Sequence, residues 1–278
     1  MQLLATKSSV ISQTYCCPIN IRKNWGGKTC NAEAAERYTE VTEPSILVIN
    51  SNTICIWYLL DALSPKRRVW QTDKSYFHNT AQLKGAINLS PTWFQQGHGL
   101  QNGFLEVSWL LKSRMENTSA REWVNQISDT NALLSVILHV IHPQMYAGGR
   151  EALICLGKQV EQQADSDMSS MYSSMSMMVN QATCYHRDIN GQDPWYDMLV
   201  TVGNYMPLDF VIPTLNLQLH YNPGSALEHG VGAVDSDRAC LVYYMHANVH
   251  QSVHVPMCQS LWMDDLLPTP VPTGELLI

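Results

Sequence analysis

His186 and Asp188 stand two positions apart in His186-Arg187-Asp188, and His229 follows 43 positions later. Residues two apart at a strand end can turn both side chains toward one metal ion. Two imidazoles and one carboxylate that leave coordination positions open make the facial triad of non-haem Fe(II) oxygenases. Arg238 stands nine residues beyond His229, and its planar guanidinium suits a bidentate grip on the distal carboxylate of 2-oxoglutarate. Each residue also has a plainer reading. Chance supplies about half of one H-x-D in a chain of this composition, His229 could be a loop imidazole, and Arg238 could pair with Asp235 or Asp237. The order of the four along the chain, and the elements they fall on, favour the oxygenase chemistry.

Those elements read as helices first and short strands afterwards. A strand pair is expected at Ile46-Leu47-Val48-Ile49 and Ile54 to Leu59, around the turn-forming Asn50-Ser51-Asn52. From Ser119 the period is helical: Trp123, Ile127, Leu134, Ile137 and Leu138 recur on one face, and Pro143 ends the run. A second helix is expected from Gln144 to Gln162, interrupted or softened at Gly148-Gly149. After Asp167 the period becomes two, with Met175, Met177 and Val179 alternating with Ser174, Ser176 and Met178, as in a strand with one buried face. A strand explains this Met/Ser stretch better than a metal-binding methionine box. Further strands are expected at Met198–Val202, Phe210–Ile212, Leu215–Leu219 and Ala239–Met245, with turns at Asn190-Gly191, Gly203-Asn204 and Pro223-Gly224. The fold class is α+β, a sandwich or rolled sheet supported by helices. His186 and Asp188 fall just after the Met175–Val179 strand.

Composition bounds the partners. The 278 residues can bury a substantial core, and no run of 18 apolar residues suggests a membrane span. Met1 to Pro18 lacks the apolar stretch of a secretory signal. Eight cysteines occur with no C-x-x-C pair, which fits buried thiols in a reducing, intracellular setting rather than a zinc site. A net charge of −7 argues against a strong non-specific grip on nucleic acid. One basic cluster, Lys66-Arg67-Arg68, is as readily a solvated loop as a phosphate contact.

Several longer segments together resemble a family. They are His186-Arg187-Asp188-Ile189-Asn190-Gly191-Gln192, Trp195 to Gly203, Leu208-Asp209-Phe210, Leu215-Asn216-Leu217, Tyr221-Asn222-Pro223-Gly224, Leu227-Glu228-His229-Gly230-Val231 and Asp237-Arg238-Ala239-Cys240. Upstream, Trp57-Tyr58-Leu59, Ala86 to Phe94 and Leu133 to Pro143 are also alike. Over residues 46 to 260 the chain resembles the TET/JBP dioxygenases, in particular their fungal branch. The resemblance implies a double-stranded β-helix (jelly roll) with supporting helices, binding Fe(2+) through His186, Asp188 and His229 and 2-oxoglutarate through Arg238. It implies that Asn180 contacts the same cosubstrate, against the alternative of an edge-strand amide facing water. Asn190 is placed to face the target base, although a turn-forming Asn is the blander account. The activity implied is oxidation by O2 of a methyl group on a DNA base, 5-methylcytosine or N6-methyladenine, with methylated DNA as partner and the nucleus as location. The organisation expected is an N-terminal extension over 1–45, poorly ordered; a dioxygenase domain over 46–262, with helical support at about 119–162 and a β-helix core at about 168–250; and a Pro-rich tail over 263–278.

The chain also departs from that family. Pro223-Gly224 runs almost directly into Leu227-Glu228-His229, so about seven residues, roughly one core strand, are absent. Gln181 and His246 stand where Arg is usual. Loss of a strand is expected to leave backbone groups unpaired and to displace His229. An alternative reading follows, a catalytically impaired relative that serves only as a DNA or protein interaction module.

Overall fold

A computed structural model describes residues 13–17, 38–49, 52–65, 85–94, 103–108, 111, 118–160, 170–180, 192, 194–206, 208–212, 217–223, 226–227 and 237–266. The strands, in chain order, are β1 (Gln13–Cys17), β2 (Thr39–Val41), β3 (Ser45–Ile49), β4 (Thr53–Tyr58), β5 (Gly85–Leu89), β6 (Trp93–Phe94) and β7 (Leu105–Glu106). Two long helices follow, α1 (Thr118–Ile141) and α2 (Pro143–Val160). Then come β8 (Ser174–Val179), β9 (Met198–Gly203), β10 (Leu208–Ile212), β11 (Leu217–Tyr221), β12 (Ala226–Leu227) and β13 (Arg238–Tyr244), and a short helix α3 (Ala247–Ser252).

Among the described residues the main sheet has the order β12-β9-β13-β8-β5, and β9, β13 and β8 pair antiparallel. A second sheet, β10-β11-β2, lies across an apolar core from it. Alternation along β9 and β13 makes the two sides. Met198, Val200, Val202, Ala239, Leu241 and Tyr243 face the helices, where they meet Leu134, Leu138 and Met145. Leu199, Cys240 and Val242 face the other way and meet Phe210, Leu217, Leu219 and Tyr221. A sheet buried on both faces needs little polar alternation, which is why β9 reads as a nearly continuous apolar run. Burying this many large side chains, at about 25 cal/mol per Å2 of apolar surface, is the main stabilising term. Among the described residues no helix is long and apolar enough to cross a membrane.

Several expectations need correction. The segment before residue 46 is not simply a loose extension: β1 runs parallel to β3, and β2 runs parallel to β11 with Val41 fully buried. Helix α2 is unbroken at Gly148-Gly149. A Cβ on Gly149 would meet Met245 Cε at 2.6 Å and the Met171 carbonyl oxygen at 2.8 Å, so this glycine permits close packing instead of softening the helix. Pro143 does not merely end α1. It opens α2, where a missing N–H leaves no intrahelical bond unmade. The folded part continues past residue 262 through a 3-10 turn, Met263–Leu266, held by the Met263 N–H donating to the Asn52 carbonyl at 2.8 Å. β8 buries Met175 and Val179 toward the helices, but Ser174 on its other face is buried as well.

Residues 226–227, soon after Pro223, join the sheet. Ala226 pairs with Val200 and Leu227 with Leu199, so β12 gives the edge of β9 a two-residue partner.

Candidate functional site

Arg238 is the first residue of β13, on the same side as Cys240 and Val242, so alternation points it inward between the two sheets. It is only 3% exposed. Its Nε donates to Thr201 Oγ1 at 3.1 Å, across the neighbouring strand β9. Its guanidinium carbon lies 5.4 Å from the Tyr221 ring centre and 5.9 Å from that of Tyr205, within range of a cation–π attraction. The Tyr205 hydroxyl lies 2.8 Å from Thr201 Oγ1 and 3.1 Å from the Tyr221 carbonyl oxygen, which ties the cradle together.

Among the described residues the surroundings of this cation are neutral. Burial pushes the Tyr205 phenol up to about 12 and raises Tyr221 well above its ordinary value. Burial also raises the Cys240 thiol, against a smaller opposing pull from Arg238. Among the described residues no carboxylate pairs with Arg238. Asp237, one alternative partner considered from sequence, receives a hydrogen bond from Asn180 Nδ2 at 3.3 Å instead; Asp235, the other, lies outside the described residues. Desolvating a cation costs several kcal/mol, whereas each cation–π contact returns about 0.5–2 kcal/mol. An incoming carboxylate would offset the remainder.

Two backbone features fix where Arg238 starts. Gly203 on β9 is paired with Arg238 and has φ +133, and a Cβ there would come within 2.3 Å of the Asp237 carbonyl oxygen. Asn180, just past β8, is 3% exposed and has φ 49, a left-handed conformation that Asn tolerates better than most residues. Its amide is turned into the protein rather than to water.

Of the site residues read from sequence, Arg238 and Asn180 are brought into contact. His186, Asp188, Asn190 and His229 lie outside the described residues, and so does the basic cluster Lys66-Arg67-Arg68. Among the described residues no group of three His, Cys, Asp or Glu could hold a metal ion. Thr201, Gly203, Tyr205 and Tyr221 were missed as site residues. Thr201 and Tyr221 were within reach, since each falls on the inward alternation of a strand that ends beside Arg238. Tyr205 carries no such signal.

The sequence matches the Tet_JBP family model, the oxygenase domain of the 2OGFeDO superfamily, over residues 102–247, more than half of the chain. The chain belongs to the Tet/JBP family. The matched span holds Asn180, Thr201, Tyr205, Tyr221 and Arg238, together with His186, Asp188 and His229. The two facing sheets with helical support are the double-stranded β-helix of this oxygenase domain. Among solved structures the chain is similar to one described as NgTET1 in complex with 5mC DNA, at 16% identity and a TM-score of 0.49, covering 78% of this chain and 81% of that one. No curated protein matches the sequence.

Proposed function

We propose that this Tet/JBP protein is an Fe(II)- and 2-oxoglutarate-dependent dioxygenase that oxidises a methyl group on a DNA base. The observation that carries the reading is Arg238: an inward, buried guanidinium, cradled by Tyr205, Tyr221 and Thr201, with no carboxylate partner among the described residues. That environment fits the distal carboxylate of 2-oxoglutarate, which can take both planar N–H groups of an arginine. In this reading His186, Asp188 and His229 hold the iron and Asn190 faces the base. A bound iron supplies the activation of O2 that couples decarboxylation of 2-oxoglutarate to hydroxylation of the methyl group. Arg238 keeps the cosubstrate in one orientation, and the neutral phenols of Tyr205 and Tyr221 hold the anchor without competing for its charge. A methyl group inside a stacked duplex is out of reach, so the base must be extruded into the site. Family membership supports a nucleic-acid base as substrate, and a nuclear location follows from that substrate.

The test is succinate release from 2-oxoglutarate and Fe(II), with and without a methylated oligonucleotide. Methyl-dependent succinate formation, lost on Arg238→Ala and on His229→Ala, supports the reading. A second reading, an impaired relative that serves as an interaction module, rests on the shortened segment 223–229. Under it the purified protein binds DNA or protein and releases no succinate under any of these conditions.

A further inference from the structure

Ala239 pairs with Val179, so the next positions along the ladder set Arg238 opposite Asn180. A hydrogen-bonded antiparallel pair exchanges two backbone bonds. One of them is present, with the Asn180 N–H donating to the Arg238 carbonyl at 2.9 Å. The second takes a different route. At φ 49 the Asn180 backbone has turned out of the sheet, and the Arg238 N–H donates to the side-chain Oδ1 of Asn180 at 2.7 Å. The Nδ2 of the same amide donates to Asp237 Oδ1 at 3.3 Å.

We propose that Asn180 is a positioning residue for Arg238, its side-chain oxygen standing in for the strand carbonyl that its turned backbone no longer offers. The substitution lets the chain leave β8 at residue 180, toward His186 and Asp188 in sequence, while the base of the anchoring arginine stays fixed. Asn suits both demands, because it tolerates the left-handed conformation and carries an acceptor and a donor on one short arm. A bidentate grip needs its fork held within about 0.5 Å, so a loosened strand start weakens cosubstrate binding without altering the reacting centre. Asn180 then acts through Arg238 rather than by touching 2-oxoglutarate. The inference rests on the reading of Arg238 as the carboxylate anchor.

Asn180→Gly keeps the left-handed backbone and removes the pin. It is expected to raise the KM and the calorimetric Kd for 2-oxoglutarate by about tenfold, the scale of one lost hydrogen bond, with kcat at saturating cosubstrate nearly unchanged. Exchanging the two side chains in the double variant Asn180→Asp with Asp237→Asn restores the acceptor and the donor, and is expected to recover most of the affinity. Hydrogen exchange at the Arg238 Nε–H, followed by NMR in the ligand-free protein, is expected to speed up in Asn180→Gly. If the native chain fails to bind 2-oxoglutarate, or Arg238→Ala binds it equally well, the anchor reading fails and the exchange rate alone judges Asn180. If Arg238→Ala loses binding while Asn180→Gly keeps both native affinity and native exchange, the positioning role is overturned and the anchor stands.

Discussion

Thr201 and Arg238 lie on adjacent antiparallel strands, and the single hydroxyl of Thr201 accepts the Nε–H of Arg238 at 3.1 Å while sitting 2.8 Å from the phenol of Tyr205. Thr201→Val keeps the shape and removes the acceptor. A buried charged donor then lacks its partner, so a stability loss of about 1–3 kcal/mol is expected in urea denaturation. Weaker 2-oxoglutarate binding by calorimetry accompanies it. Native values of both would show that Thr201 does not hold the guanidinium.

Gly203→Ala puts a side chain where φ is +133 and where a Cβ would meet the Asp237 carbonyl oxygen at 2.3 Å. Both penalties act on the pair that starts β13. Destabilisation of about 1–3 kcal/mol is expected, read from the denaturation midpoint.

Two glycines of α2 separate packing from helix propensity. A Cβ added at Gly157 would have nothing within 4 Å, so Gly157→Ala is expected to stabilise the protein by about 0.5–1 kcal/mol. Gly149→Ala gains the same propensity but drives a Cβ against Met245 and the Met171 carbonyl, and is expected to destabilise. Thermal melts of the two variants should move in opposite directions.

His142 gives the fold a pH dependence of known sign. It is buried between the two long helices, and its Nδ1 accepts the Met145 N–H at 3.3 Å, as an N-cap does for the third residue of a helix. Burial lowers its pKa below the ordinary 6.5, against smaller raising effects from the backbone of Gln259 and Pro194 and from Asp265. A folded-state value below the unfolded one means that stability is full above about pH 6.5 and falls as pH drops toward the folded value. His246 is also lowered by burial and adds to the same slope. His142→Asn keeps a capping acceptor without a proton to gain, so its stability should decline less between pH 7 and pH 5. An unchanged slope would remove His142 from the account.

Binding of a short duplex is expected to be weak and sensitive to salt. The chain carries a net charge of −7 with one basic cluster, so few phosphates can be neutralised. Affinity measured across a salt series checks this. Tight binding that ignores salt would contradict it.

The elements were legible in the sequence because local periodicity encodes them. The helical face of Trp123, Ile127, Leu134 and Leu138, the strands around Ile46 and Ile54, and the alternation that ends at Val179 all depend on neighbours a few residues apart. The place of Arg238 was legible too, because it directly precedes the apolar run Ala239–Met245. What the sequence by itself determined, then, was the family, the order of helices and strands, and the residue types that could bind iron and a dicarboxylate. Only the tertiary structure decided that β2 joins the sheet of β11, that Gly149 is a packing glycine, that Tyr205 and Tyr221 flank Arg238, and that Asn180 grips the backbone of Arg238. Such pairings join distant segments: Thr201 and Arg238 are 37 residues apart, and Glu40 and His220, on β2 and β11, are 180 apart. Periodicity says which face of a strand is inward; it cannot say which other strand will stand opposite, because that choice is made by the summed burial of the whole core.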